Sequence, residues 1–116
     1  EERGALLETY VLHEIRAYLH YNDLHYPIFY WKTHQGTEVD FIIESRSGVL
    51  ALEVKASTRW SSWDNAGLVR FRDDHPELKI RTVGVYRGAR ALKEKEVTVQ
   101  PCEEFLRSLW GGELVR

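Results

Sequence analysis

The sequence predicts an α/β domain with a central mixed sheet flanked by helices, in the order α-β-β-β-α-β-β-α. Three observations predict it. Apolar residues recur at helical spacing between Ala5 and Tyr21. Two β-branched runs, Glu38–Glu44 and Val49–Ala56, are joined only by the short Ser45–Gly48 turn, which predicts an antiparallel hairpin. A helical segment then separates that hairpin from further strands, the alternation of a sheet covered by helices.

The elements follow in order. In residues 5–21 Leu7, Val11, Ile15 and Tyr18 form the helical repeat, and a turn over Asn22–Pro27 ends it. Ile28–Lys32 is rich in aromatic and β-branched residues and predicts a strand. His34-Gln35-Gly36 is turn-like, and the two hairpin strands follow it. A second helix is expected from Ser62 or Trp63 to Asp74, with Ser61, Ser62 and Asp64 as capping residues and His75-Pro76 as its end. Ile80–Tyr86 predicts a fourth strand and Glu96–Gln100 a fifth, short one. Pro101 suits the first position of a last helix, whose positively polarised first turn receives Glu103 and Glu104. Phe105, Leu106, Leu109 and Trp110 form its apolar face, and Gly111-Gly112 stops it.

Length and composition narrow the class. At 116 residues one domain is expected, able to bury roughly two thirds of its unfolded surface without staples. Hydrophobic residues at 43% and charged residues at 29% argue against disorder. Sixteen Lys plus Arg against eighteen Asp plus Glu give a net charge of −2. That excludes a histone-like binder of nucleic acid but not a local basic groove. The single cysteine, Cys102, excludes a disulfide framework and a multi-thiolate metal site. No apolar run reaches the ~20 residues of a membrane span, and no signal-peptide pattern opens the chain, so a cytoplasmic protein without a membrane is the expectation. The sequence lacks methionine and its first helix begins almost at once. A domain cut from a longer protein is expected, and an N-terminally processed chain would look the same.

The chemistry concentrates in Glu38–Ile43 and Leu52–Ala56. Side chains alternate faces along a strand, so Glu53 and Lys55 share one face while Leu50, Leu52 and Val54 share the other. Folding the hairpin about Arg46-Ser47 brings Asp40 roughly opposite Glu53. Two carboxylates and an ammonium then meet on one patch of sheet among apolar neighbours. Like charges at close range repel, and a divalent cation resolves the conflict. Mg²⁺ takes oxygen ligands, commonly one or two carboxylates with waters and a substrate phosphate. A lysine beside it can orient or help deprotonate a water, an apparatus suited to phosphodiester hydrolysis. In the first helix, at about 100° per residue, the apolar arc spans Leu6, Tyr10, Leu7, Val11, Ile15, Leu19 and Leu12. Glu8 and Glu14 fall inside it. A carboxylate on a core-facing stripe needs a partner. Glu8 can reach toward the acid patch. Glu14 can do the same, or make a structural ion pair or hydrogen bond, which is the expectation for it.

These residues carry a resemblance. A helix glutamate, then an acid, a hairpin, and acid-x-lysine flanked by apolar residues resembles the PD-(D/E)XK nuclease superfamily. More narrowly, GALLETYVLHEI (residues 4–15), GTEVDFII (36–43), LALEVKAS (50–57) and PCEEFLRSLWGGE (101–113) resemble an uncharacterised C-terminal domain of prokaryotic AAA+-type ATPases. The resemblance covers nearly the whole chain. It implies a restriction-endonuclease-like fold and Mg²⁺- or Mn²⁺-dependent hydrolysis of nucleic acid, DNA before RNA, behind an upstream ATPase domain. It implies Glu8, Asp40 and Glu53 as metal ligands, the Val54 carbonyl as a further ligand, and Lys55 as the residue assisting the attacking water. Two departures stand out. Val39 occupies the place of the superfamily's proline before the first acid, and no helix-borne Gln or Lys follows the acid-x-lysine strand, Arg70 being nearest.

Each residue also has a plainer reading. Asp40, Glu53 and Lys55 fit a cross-strand ion pair, worth about 0.2–1 kcal/mol if exposed. His13, His20, His25, His34 and His75 lack zinc-ligand spacing and are expected on the surface or in loops. Trp60 and Trp63 can stack on bases, but packing of the second helix on the sheet is the expectation. Arg59 and Arg70 are the candidate nucleic-acid contacts. With Arg72, Arg81, Arg87, Arg90 and Lys93 they make either a phosphate-binding rim or a solvated surface. Cys102 is expected in packing, although a helix start can lower a thiol pKa. The rival function is a non-catalytic nucleic-acid-binding or protein-interaction module that keeps the nuclease fold. Oligomeric state is left open by the sequence.

Overall fold

The computed structural model describes residues 2–116, in which three helices flank a six-stranded mixed sheet. Helix α1 spans Glu2–Tyr21, α2 Ala66–Asp74 and α3 Cys102–Trp110. The strands are β1 (Ile28–Lys32), β2 (Glu38–Ser45), β3 (Gly48–Val54), β4 (Ile80–Tyr86), β5 (Leu92–Glu94) and β6 (Val97–Pro101). Their order across the sheet is β1-β2-β3-β4-β6-β5. The β1, β2 and β3 meander is antiparallel. From β3 the chain crosses over through α2 to β4, which pairs with β3 in parallel, and β6 joins β4 in parallel. A parallel partner cannot be reached by a tight turn, and α2 supplies the crossover.

Alternation along the strands splits the core into two layers. Leu50, Leu52, Val54, Phe41, Ile43, Val83 and Val85 face α1 and α3, where they meet Val11, Ile15, Phe105 and Leu109. Val49, Ala51, Ile42, Val97 and Val99 face α2, where they meet Leu68 and Phe71. Glycine permits the closest approach of α2. A Cβ at Gly67 would stand 2.0 Å from the carbonyl oxygen of Glu38, so only a hydrogen there lets the helix settle on the start of β2.

Four expectations are corrected. The first is β5, which adds a strand between the fourth and fifth of the sequence reading. Lys95 and Glu96 both have positive φ, 50° and 66°, so β5 and β6 are joined by a two-residue turn of the kind usually marked by Asn-Gly. Lys-Glu carries no such mark, and three residues are too few for periodicity to register. The second is the arc of α1. Leu6 and Tyr10 are exposed, and the fully buried stripe is the narrower one of Val11, Ile15, Tyr18 and Leu19, with Leu7 and Leu12 half-buried beside it. The third concerns the start of the second helix. Ser62–Asn65 is a 3₁₀ turn that precedes α2, and Trp63 on it is 85% exposed rather than packed on the sheet. At the last helix, Pro101 is the N-cap and ends β6, one position before the helix itself.

Candidate acidic cleft

The site forms where β2 and β3 part. Their backbone pairing runs from Ser45–Gly48 to Phe41–Leu52 and stops one position short of Asp40 and Glu53. Two side chains continue it. Asp40 Oδ2 accepts a hydrogen bond from the Val54 amide at 2.8 Å, and Glu53 Oε1 accepts one from the Asp40 amide at 3.3 Å. Each carboxylate therefore satisfies an amide that the ladder leaves free. Glu53 Oε2 lies 3.2 Å from Lys55 Nζ. On the other side of β3, the Lys55 amide bonds the Val85 carbonyl at 2.9 Å, which fixes the backbone from which the ammonium extends.

Glu8 joins these groups from α1. A cleft of about 640 Å³ is lined by Glu8, Glu38, Asp40, Glu53 and Lys55, with Arg3 at its margin. Glu38, which sequence reasoning passed over as a site residue, stands two positions before Asp40. The period-two rule already puts it on the same strand face, and that was the available signal.

The cleft holds four carboxyl groups, more than Lys55 and Arg3 balance. Burial pushes the Glu53 carboxyl up to about 7, the Asp40 charge adds to the rise, and Lys55 opposes it. Burial raises Asp40 as well, against the Val54 hydrogen bond and Lys55. Glu8 is raised by burial and then by Asp40 and Glu38. Burial works against the charge of Lys55, but Glu53, Asp64 and Asp40 outweigh it and hold the ammonium above the ordinary lysine range. Burial leads the rise of each acid, their mutual repulsion adds to it, and the raised lysine shows the negative field they share, which favours the bound proton or another cation.

Trp60 walls the neighbouring strand. Its indole lies over Gly84, the β4 residue in register with Glu53, where a Cβ would come within 2.4 Å of the ring. The indole N–H donates to Asn65 Oδ1 at 2.7 Å, so Trp60 is packing, as expected. Glu14 stands apart from the cleft and accepts a hydrogen bond from Trp110 Nε1 at 3.1 Å, the structural alternative for that residue. Arg59 is exposed beyond Lys55 and lies outside the cleft lining. Arg70 is held by Asp74 on α2, at 3.0 Å, and also lies outside it. The other basic residues of the second half do not form one rim here: Arg72, Arg81 and Lys93 gather at the opposite end of the sheet. Four histidines are exposed, and His75 packs on Phe71 with its Nδ1 2.8 Å from the Phe71 carbonyl. Cys102 is half-buried, and burial followed by the charge of Glu14 raises its thiol, opposite to activation.

Among the described residues, no helix is long and apolar enough to cross a membrane. No curated protein and no solved structure matches the chain. One family model does, over residues 3–105, and that span takes in α1, the acidic cleft and the whole sheet. The chain belongs to the family described as a domain of unknown function, DUF4143.

Proposed function

We propose that the cleft is the catalytic centre of a metal-dependent nuclease with a restriction-endonuclease-like fold, hydrolysing phosphodiester bonds of nucleic acid, DNA first, behind an upstream ATPase domain. One observation carries this reading: Glu8 of α1 and the hairpin residues Asp40, Glu53 and Lys55 share a single cleft with an excess of negative charge. The donor set fits a hard divalent cation, since it is all oxygen and lacks a second ammonium. Asp40 Oδ1 has no hydrogen-bond donor among the described residues and is free to ligate. Asp40 and Glu53, with Glu8 and the Val54 carbonyl, would hold Mg²⁺ or Mn²⁺. Such a cation supplies charge neutralisation at the phosphate and a lowered water pKa. Lys55, kept protonated by the acids around it, donates hydrogen bonds that orient the attacking water. Arg3 at the margin offers a phosphate contact.

A specific observation favours a second reading, a binding module without turnover. Asp40 and Glu53 already hold each other's strand and Lys55, and among the described residues no three His, Cys, Asp or Glu side chains stand together as a preformed metal cage. One experiment separates the two. The chain is incubated with plasmid, single-stranded and branched DNA in Mg²⁺ or Mn²⁺, beside Asp40→Asn and Lys55→Ala. Cleavage that both substitutions abolish is the expected result. Equal products from all three proteins would leave the binding module. Calorimetric Mg²⁺ binding that disappears in Glu53→Gln supports the metal site even before a substrate is found.

A further inference from the structure

β3 begins at Gly48 and ends at Val54 beside the acidic cleft. At about 3.3 Å per residue its two ends are roughly 20 Å apart. A second pocket of about 480 Å³ opens at the Gly48 end. Five cations converge on it from separate parts of the chain: Arg72 of α2, Lys79 before β4, Arg81 of β4, Lys93 of β5 and Arg116 at the last position. Among the described residues, two side-chain carboxylates, Glu96 and Glu113, line it with them. Arg72 lies between Glu96 at 3.6 Å and Asp73 at 3.7 Å, while Arg81 and Arg116 donate to the carbonyls of Glu113 and Gly112. Lys79 and Lys93 have no carboxylate within 4.0 Å among the described residues. The fold holds Lys79 there firmly. The Val49 amide bonds the Lys79 carbonyl at 2.9 Å, and Gly48, at φ 117°, has no Cβ to strike that oxygen.

Five cations against two acids leave a local excess of positive charge, which a multiply charged anion would offset. We propose that this end of the sheet is a second binding site, for phosphate groups, separate from the acidic cleft. Phosphates concentrate charge in a small volume, as a pocket of this size requires, whereas peptide carboxylates spread theirs along a chain. The arginines offer the planar fork that phosphate oxygens accept, and the lysines add point charge. The phosphates are those of a free oligophosphate or two successive groups of a nucleic-acid backbone. The site stands whether or not the cleft cleaves.

The test measures binding of inorganic tripolyphosphate by calorimetry and of a short single-stranded oligonucleotide by anisotropy. Both are run at low salt with a chelator present, so that no cation bridges phosphate to the acidic cleft. The double variant Lys79→Glu/Lys93→Glu alters two exposed side chains and is expected to keep the wild-type circular dichroism, which is checked first. It is expected to bind about tenfold more weakly or worse, while Asp40→Asn binds phosphate as wild type does. Tripolyphosphate binding alone assigns the site to free oligophosphate, and oligonucleotide binding alone to a nucleic-acid backbone. Binding of neither, equal binding by the double variant, or equally tight binding of a polyglutamate peptide would overturn the proposal.

Discussion

Asp40 Oδ2 sits 2.8 Å from the amide nitrogen of Val54, the residue after Glu53, and does the work of a ladder hydrogen bond where β2 and β3 separate. The acid pair is therefore part of how the hairpin ends. Asp40→Ala leaves the buried Val54 amide without its acceptor and is expected to cost about 1–3 kcal/mol in urea denaturation. Asp40→Asn keeps an acceptor oxygen and is expected to cost less than half as much. Equal losses in the two variants would show that the hydrogen bond is not what matters.

Glu53 gives the chain a pH dependence of defined sign. Burial and Asp40 lift its carboxyl from 4.5 to about 7 on folding, so in that window the folded chain binds more protons than the unfolded one. Stability therefore falls as pH rises through the window, and the penalty is complete above about 7. In chelator, Glu53→Gln is expected to be more stable than wild type above that pH by about 1–3 kcal/mol and to show a flatter profile. The gain is held down by loss of the Lys55 contact. Thermal melts across the window check it, and parallel profiles for the two proteins would contradict it.

Gly67→Ala pits helix propensity against packing. Propensity alone predicts a gain of about 1 kcal/mol in α2. The added Cβ would stand 2.0 Å from the Glu38 carbonyl oxygen, so α2 must shift off β2. The expected net effect is a loss of about 1–3 kcal/mol. A stabilised variant would mean that α2 sits farther from the sheet than described.

Trp110 ties α3 to α1 through Glu14 and packs edge-on against Tyr18, with ring centroids 5.5 Å apart. Trp110→Phe keeps a ring but removes the N–H donor. It is expected to cost about 0.5–1.5 kcal/mol, and adding Glu14→Ala to the Trp110→Phe variant should cost nothing further. Additive losses in that double-mutant cycle would show that the two residues act independently.

Much of this molecule was written in local pattern. The helical repeat of α1, the hairpin around Arg46-Ser47 and the Gly111-Gly112 stop all appear where the sequence puts them, because period and turn chemistry are local properties. The facing of Asp40 and Glu53 was legible for the same reason, since a two-stranded hairpin with a short turn fixes its own register. Strand β5 was not legible. Its three residues depend on pairing with β6, and a Lys-Glu turn in left-handed backbone is accepted only because that pairing supports it.

Sequence alone determined the alternation of sheet and helix and the acids that face one another across the hairpin. The tertiary structure decided which distant groups join them. Glu8 and Glu14 share the same helical stripe, yet one lines the cleft and the other bonds Trp110. Periodicity gives a side chain's direction around its own helix, while its partner depends on where along the sheet the helix comes to rest. The same reason explains why Arg70 is held by Asp74, and why Arg72, Arg81 and Lys93 collect at the far end of the strands. Charges on separate elements meet only after the strand order is set, and packing of the two apolar layers sets it.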